Sequence, residues 1–293
     1  MLSSVGAPAL ATSGASPASP QASASSLTFN TQPTASLTFP VLQSTLVMRD
    51  NALVADTDTM NAGSSFDFAF CSGCRETFAL SVPNLGLSHV SLSTYDDTPF
   101  YPLVSGERGP FVEEATWGRG GLASTKFGYW YLGPSALAFP TNHSAYVYGY
   151  ETPAASLPGS GTVTYTGRVV GRVFYTLGPT YANFVSGTAT VRVDFAARTV
   201  TGELTGMGTD DDQNFFESGF WNEVSFSASF PSGINHATGT AKVSSISGTL
   251  SALNDATGTV ALRFYGADAR ELGLVWTLHR GSRAAVGSGG TAR

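Results

Sequence analysis

Gly258-Thr259-Val260-Ala261-Leu262-Arg263-Phe264-Tyr265-Gly266-Ala267-Asp268-Ala269-Arg270-Glu271-Leu272-Gly273-Leu274-Val275-Trp276-Thr277-Leu278-His279 reads as two strands joined by a polar elbow. Val260, Leu262 and Phe264 alternate with smaller or polar neighbours, the period-2 mark of a half-buried strand. Leu272, Leu274, Trp276 and Leu278 repeat that pattern after a short charged turn. Gly273, Val275, Thr277 and His279 then share the opposite face.

Outward from this hairpin the chain keeps the same character. Alternation and turn residues mark strands over 163–174, 187–195, 199–206, 223–230, 239–243 and 248–253. The second and third pair across Ala196-Ala197-Arg198. With the hairpin this predicts eight strands in 156–293. Regular spacing of thin strands points to an antiparallel up-and-down meander closed into a barrel, which also removes exposed edges. Val, Phe, Leu and Trp dominate the inward positions, so the expected interior is a filled core and not a cavity.

Composition agrees with an all-β chain. Of 293 residues, 42% are hydrophobic, 12% aromatic and 12% charged, and 33 are Gly. Charged residues are about half their usual share, and Lys126 and Lys242 are the only lysines. The net charge of −6 comes without a basic stripe, so no nucleic-acid partner is expected. No apolar run approaches the roughly 18 residues of a membrane helix. Residues 1–26, rich in Ala, Ser, Pro and Gly, read as a disordered leader. Neither a full signal peptide nor a lipid-accepting Cys is visible in them.

Residues 27–155 form a second, strand-rich region. Phe66, Phe68 and Phe70 alternate into Cys71-Ser72-Gly73-Cys74, and Phe78, Leu80 and Val82 alternate after it, which is a hairpin signature. Cys71 and Cys74 flank the turn within disulfide reach. A turn-stapling disulfide, two free thiols, and a redox or zinc half-site all remain open readings. Thr125-Lys126-Phe127-Gly128-Tyr129-Trp130-Tyr131 is a strand. Tyr146-Val147-Tyr148-Gly149-Tyr150-Glu151-Thr152-Pro153 follows, and Leu157-Pro158-Gly159-Ser160-Gly161 links it to the barrel.

Three of these stretches together resemble the transferrin-binding protein B-like surface proteins of Gram-negative bacteria. Phe264-Tyr265-Gly266 through Glu271-Leu272-Gly273 is similar to the family's Phe-Tyr-Gly-Pro-x-Ala-x-Glu-x-Gly-Gly signature, with Ala267 for the Pro and Leu274 for the second Gly. Phe127-Gly128-Tyr129-Trp130 resembles its Phe-Gly-x-Trp strand, and 146–153 its Tyr-x-x-Gly-x-x-Thr-Pro segment. The resemblance implies a non-enzymatic, exported protein at the cell surface or secreted, often a lipoprotein. It implies a strand-rich handle over 27–155 and the barrel over 156–293. A monomer is expected that captures a nutrient such as haem or an iron-carrying protein. A structural or adhesive surface component is the alternative.

Candidate site residues follow from that expectation. Phe215, Phe216, Phe220 and Trp221 crowd an inter-strand loop, as binding anchors or as a plug over the barrel end. No metal spacing joins His89, His143, His236 and His279, and no resident cofactor is expected. If haem is the cargo, an imidazole or phenolate must ligate its iron. His143 is then the first choice, in a loop with Tyr146 and Tyr148 close by, and His89 is the second. The ordinary reading of His143 is a polar residue in an exposed loop. Asp210-Asp211-Asp212 lacks the Gly and the closing Glu of a calcium loop. No nucleophile elbow or phosphate loop occurs, so no enzyme is expected.

Overall fold

The structure is a computed structural model. It describes residues 37–49, 52–56, 65–69, 77–82, 87–93, 109–114, 122–133, 142–174, 182–210, 219–220, 223–243, 255–281 and 283–293. Among these residues the regular structure is strand, apart from short 3-10 turns at Ala154–Ser156 and Ala267–Ala269. The predicted strand at 248–253 lies outside the described residues.

The N-terminal region contributes β1 (Leu37–Pro40), β2 (Leu42–Arg49), β3 (Ala52–Asp56), β4 (Ser65–Ala69), β5 (Thr77–Val82), β6 (Leu87–Ser93), β7 (Gly109–Glu114), β8 (Thr125–Gly133) and β9 (Asn142–Gly149). They form a four-stranded sheet in the order β1-β4-β5-β6 and a five-stranded sheet in the order β3-β2-β9-β8-β7. The expected hairpin of 66–82 is the β4–β5 pair, with Phe66 opposite Leu80. The chain passes from one sheet to the other at Pro40, which has no N–H to continue a ladder.

The C-terminal region forms β10 (Thr162–Phe174), β11 (Ala182–Asp194), β12 (Thr199–Asp210), β13 (Gly219–Phe220), β14 (Val224–Ser229), β15 (His236–Val243), β16 (Thr257–Tyr265), β17 (Glu271–Arg280) and β18 (Arg283–Ala292). Each long strand pairs antiparallel with its neighbours, β11 pairs with β12, and β18 returns to pair with β10. The result is a closed eight-stranded barrel, with the two-residue β13 as a spur on β12.

The sequence reading places no strand after the 258–279 hairpin, but that hairpin does not close the barrel. That role belongs to β18, Arg-Ala-Ala-Val-Gly-Ser-Gly-Gly-Thr-Ala, which follows it. Its small residues carry little alternation signal, yet they are what this position needs. A β-carbon on Gly287 or Gly171 would strike the Trp276 indole inside, and one on Gly290 would strike Phe127 outside.

Inside, Tyr165, Val191, Leu204, Val260, Leu274 and Trp276 belong to one continuous apolar cluster. The outer wall divides in two. On the side away from the N-terminal sheets, Thr164, Arg192, Thr201, Ser227 and Thr240 stand in one cross-strand row and are exposed. Apolar inside and hydroxyl outside is the reverse of a membrane barrel, whose outer band is apolar. On the other side, a second apolar cluster joins Leu46, Phe127 and Val147 of the five-stranded sheet to Val170, Val275 and Val286 of β10, β17 and β18. The sheet therefore lies against the barrel wall. Ser288 Oγ donates to the Gly128 carbonyl across this seam at 2.7 Å.

Candidate functional site

The strand directions give the barrel two unlike ends. At one end the connections are tight: 195–198, 230–235 and 266–270. Phe264 packs there against Phe195 and Phe230 with ring centroids 5.6 and 5.4 Å apart, and these rings fill the opening. The 150–157 linker crosses the same end, with the Thr152 N–H donating to the Phe264 carbonyl at 2.9 Å. This closed end is occupied by the chain itself.

At the other end depart the connections 175–181, 211–223 and 244–256, each longer than the turns opposite, together with the tight β17–β18 turn at 281–282. The five-stranded sheet adds to this loop end. Its β8 starts beside the closed end, where the Tyr150 N–H donates to the Ser124 carbonyl at 2.9 Å. Its β9 starts beside Phe174, the last residue of β10, whose ring lies 4.2 Å from that of His143. Gly133 and Asn142, the facing ends of β8 and β9, therefore lie toward the loop end too. Strand ends from both parts of the chain meet at this rim.

The candidate residues fall in different places. Phe220 sits in β13, paired through its backbone with Gly208 near the loop end. Phe215, Phe216 and Trp221 lie outside the described residues, as do Cys71 and Cys74. His89 is in β6. His279 is exposed at the end of β17. His236 pairs with Arg263, and burial followed by that guanidinium holds its imidazole below the usual range, against an opposing pull from Glu151.

His143 does not sit in an exposed loop. It is the second residue of β9, 3% exposed, between β2 and β8. Its Nδ1 is hydrogen-bonded to the Tyr129 hydroxyl, and its ring packs against Phe174. Burial first, and the nearby Arg172 second, push its pKa down to about 3. The loop reading failed because Asn142–Gly149 is one continuous strand paired with β2 on one side and β8 on the other. His143, Ala145 and Val147 face the barrel, while Tyr146 and Tyr148 take the opposite face.

Tyr146 and Tyr148 are themselves buried. The Tyr148 ring lies 5.7 Å from that of Phe39, and Tyr150 meets Phe39 edge-on at 5.1 Å. The structure thus separates His143 from both tyrosines. It gives His143 three companions that sequence reasoning missed: Tyr129, Arg172 and Phe174. Alternation in β8 and β10 was the available signal, but nothing in it told which sheet faces met.

The architecture defines a class: a filled, water-facing β-barrel with a sheet laid on its wall and a loop-bearing end free of the linker. Residues 157–293 match the family model for the C-lobe and N-lobe β-barrels of transferrin-binding protein B. The barrel region is thus similar to the barrels of the transferrin-binding protein B-like family. No curated protein matches the sequence.

Several solved structures are similar at low identity. A transferrin-binding protein B of Haemophilus parasuis is 16% identical with a TM-score of 0.49, over 86% of this chain and 44% of that one. That of Neisseria meningitidis is 14% identical with a TM-score of 0.47, over 85% of this chain and 58% of that one. That of Actinobacillus pleuropneumoniae is 17% identical with a TM-score of 0.42, over 86% of this chain and all of that one. The chain thus spans less than half the length of the Haemophilus protein.

Proposed function

We propose that the chain is an exported, non-enzymatic binding protein of the cell surface or the secreted fraction, and that its partner is an iron-carrying protein such as transferrin. The observation that supports this most is the family match of the barrel, a family described by transferrin binding. The filled interior favours a macromolecular partner over a small ligand held in the barrel. Recognition then falls to the loop-end rim, where connections are free to vary on a rigid scaffold. Phe215, Phe216, Phe220 and Trp221 enter or border one of those connections and supply the aromatic anchors that protein interfaces favour.

Haem is the weaker cargo. Ligation by His143 would require its imidazole to leave a slot shared with Tyr129 and Phe174.

The test is direct binding of iron-loaded and iron-free transferrin to the immobilised chain, beside a haem titration. Saturable binding of iron-loaded transferrin, weakened about tenfold or more by Phe216→Ala or Trp221→Ala, is the expected result. A sharpened Soret band at stoichiometric haem without transferrin binding would move the function to haem. No response to either would leave a structural or adhesive surface component.

A further inference from the structure

Several residues of the family signature have partners in the N-terminal part of the chain. Glu271 is buried, yet its carboxylate is fully engaged with backbone. Oε1 accepts the Ala123 N–H at 2.6 Å, and Oε2 accepts the Ser124 N–H at 3.0 Å. These two amides lie immediately before β8. Gly266, at φ 74°, donates its N–H to the Tyr150 carbonyl and accepts the Thr152 hydroxyl at 2.7 Å. A β-carbon on Gly266 would press on Ser124, and one on Gly273 would collide with Val147. Arg263 Nη1 pairs with Glu151 Oε1 at 2.6 Å, and Asn235 Nδ2 donates to Glu151 Oε2 at 3.0 Å.

We infer that Glu271 is a positioning residue that seats the five-stranded sheet on the barrel wall beside its closed end and thereby fixes where the ends of β8 and β9 stand at the loop end. The inference rests on the rim being the recognition surface. Charge-assisted bonds from a carboxylate to backbone N–H are short and directional, and burial keeps water from replacing them. Without the carboxylate, two amides beside β8 lose their acceptor. The sheet has a long lever arm. β8 is nine residues long, roughly 30 Å at about 3.3 Å per residue, so a tilt of about 10° at Glu271 moves the rim by roughly 5 Å.

The test uses the full chain, with Cys71 and Cys74 replaced by Ser and nitroxide labels at Asn142→Cys on β9 and Thr188→Cys on β11. Pulsed electron resonance measures the distance between sheet and barrel with no partner present, so the result stands apart from the transferrin experiment. Glu271→Ala is expected to broaden or shift that distance, and Glu271→Gln, which keeps one acceptor, to do so less. Amide exchange at Ala123 and Ser124 should rise on the order of tenfold or more in Glu271→Ala, while the β11 and β12 amides keep their protection. An unchanged distance distribution in Glu271→Ala would overturn the inference. Should that variant fail to fold, Glu271→Gln decides alone: a broadened distribution supports the positioning role and an unchanged one overturns it.

Discussion

At the scale of single residues, space left by glycine is as informative as space filled by aromatics. Trp276 is 1% exposed and its ring lies over Gly171 and Gly287, so two strands carry no side chain where the indole sits. Trp276→Ala leaves a cavity that Gly171 and Gly287 have no side chains to fill. It should cost about 3–5 kcal/mol, read as a marked fall in denaturant midpoint. A midpoint within error of the parent would show that the wall collapses onto the gap. His143 supports a prediction about acid. Its folded pKa of about 3 lies below the unfolded value of 6.5, so keeping it neutral favours the folded state fully above pH 6.5. That contribution is lost as pH falls from 6.5 toward 3, because the unfolded chain takes up the proton first. The thermal midpoint should therefore drop across this window, with a shallower drop in His143→Gln. Parallel profiles for the two proteins would show that other groups carry the acid sensitivity.

At the scale of elements, β18 shows why the alternation of large and small residues was only part of the code. Eight strands were legible in number, but Arg283–Ala292 was not read as one of them. Strand propensity rewards β-branched and aromatic residues, and β18 carries Ala, Ser and Gly because it is packed on both faces. Trp276 and Val169 crowd it from inside, Leu122 and Phe127 from outside. Gly289→Val, with a β-carbon only 2.7 Å from the Arg168 carbonyl oxygen, should be strongly destabilising. Ending the chain at residue 281 should be worse, since it bares the edges of β10 and β17. The expected outcome is loss of the cooperative thermal transition and aggregation. A soluble truncated chain that still melts cooperatively would show closure to be dispensable.

At the scale of the whole molecule, the two parts share a buried seam. Val170, Phe174, Tyr265, Val275 and Val286 lie on the outside of the barrel yet are buried, because the five-stranded sheet covers them. We propose 156–293 as a unit that folds alone, since it holds every barrel strand. Excised, it should give a β-type circular-dichroism spectrum and a cooperative transition, but it should self-associate through this uncovered patch. A monodisperse fragment as stable as the full chain would mean that the seam contributes little to either part.

The sequence by itself determined the all-β class, the 258–279 hairpin and the barrel. Inside-outside alternation is a local property that every strand carries in its own residues. It also carried the family signature, whose residues were readable without their partners. Only the tertiary structure decided what that signature touches. Glu271 meets amides 147 and 148 positions away, and His143 meets a ring on the barrel, because two faces met that no local pattern pairs. Contact across long sequence separations is set by which surfaces exclude water together, and that is a property of the assembled sheets, not of any one strand.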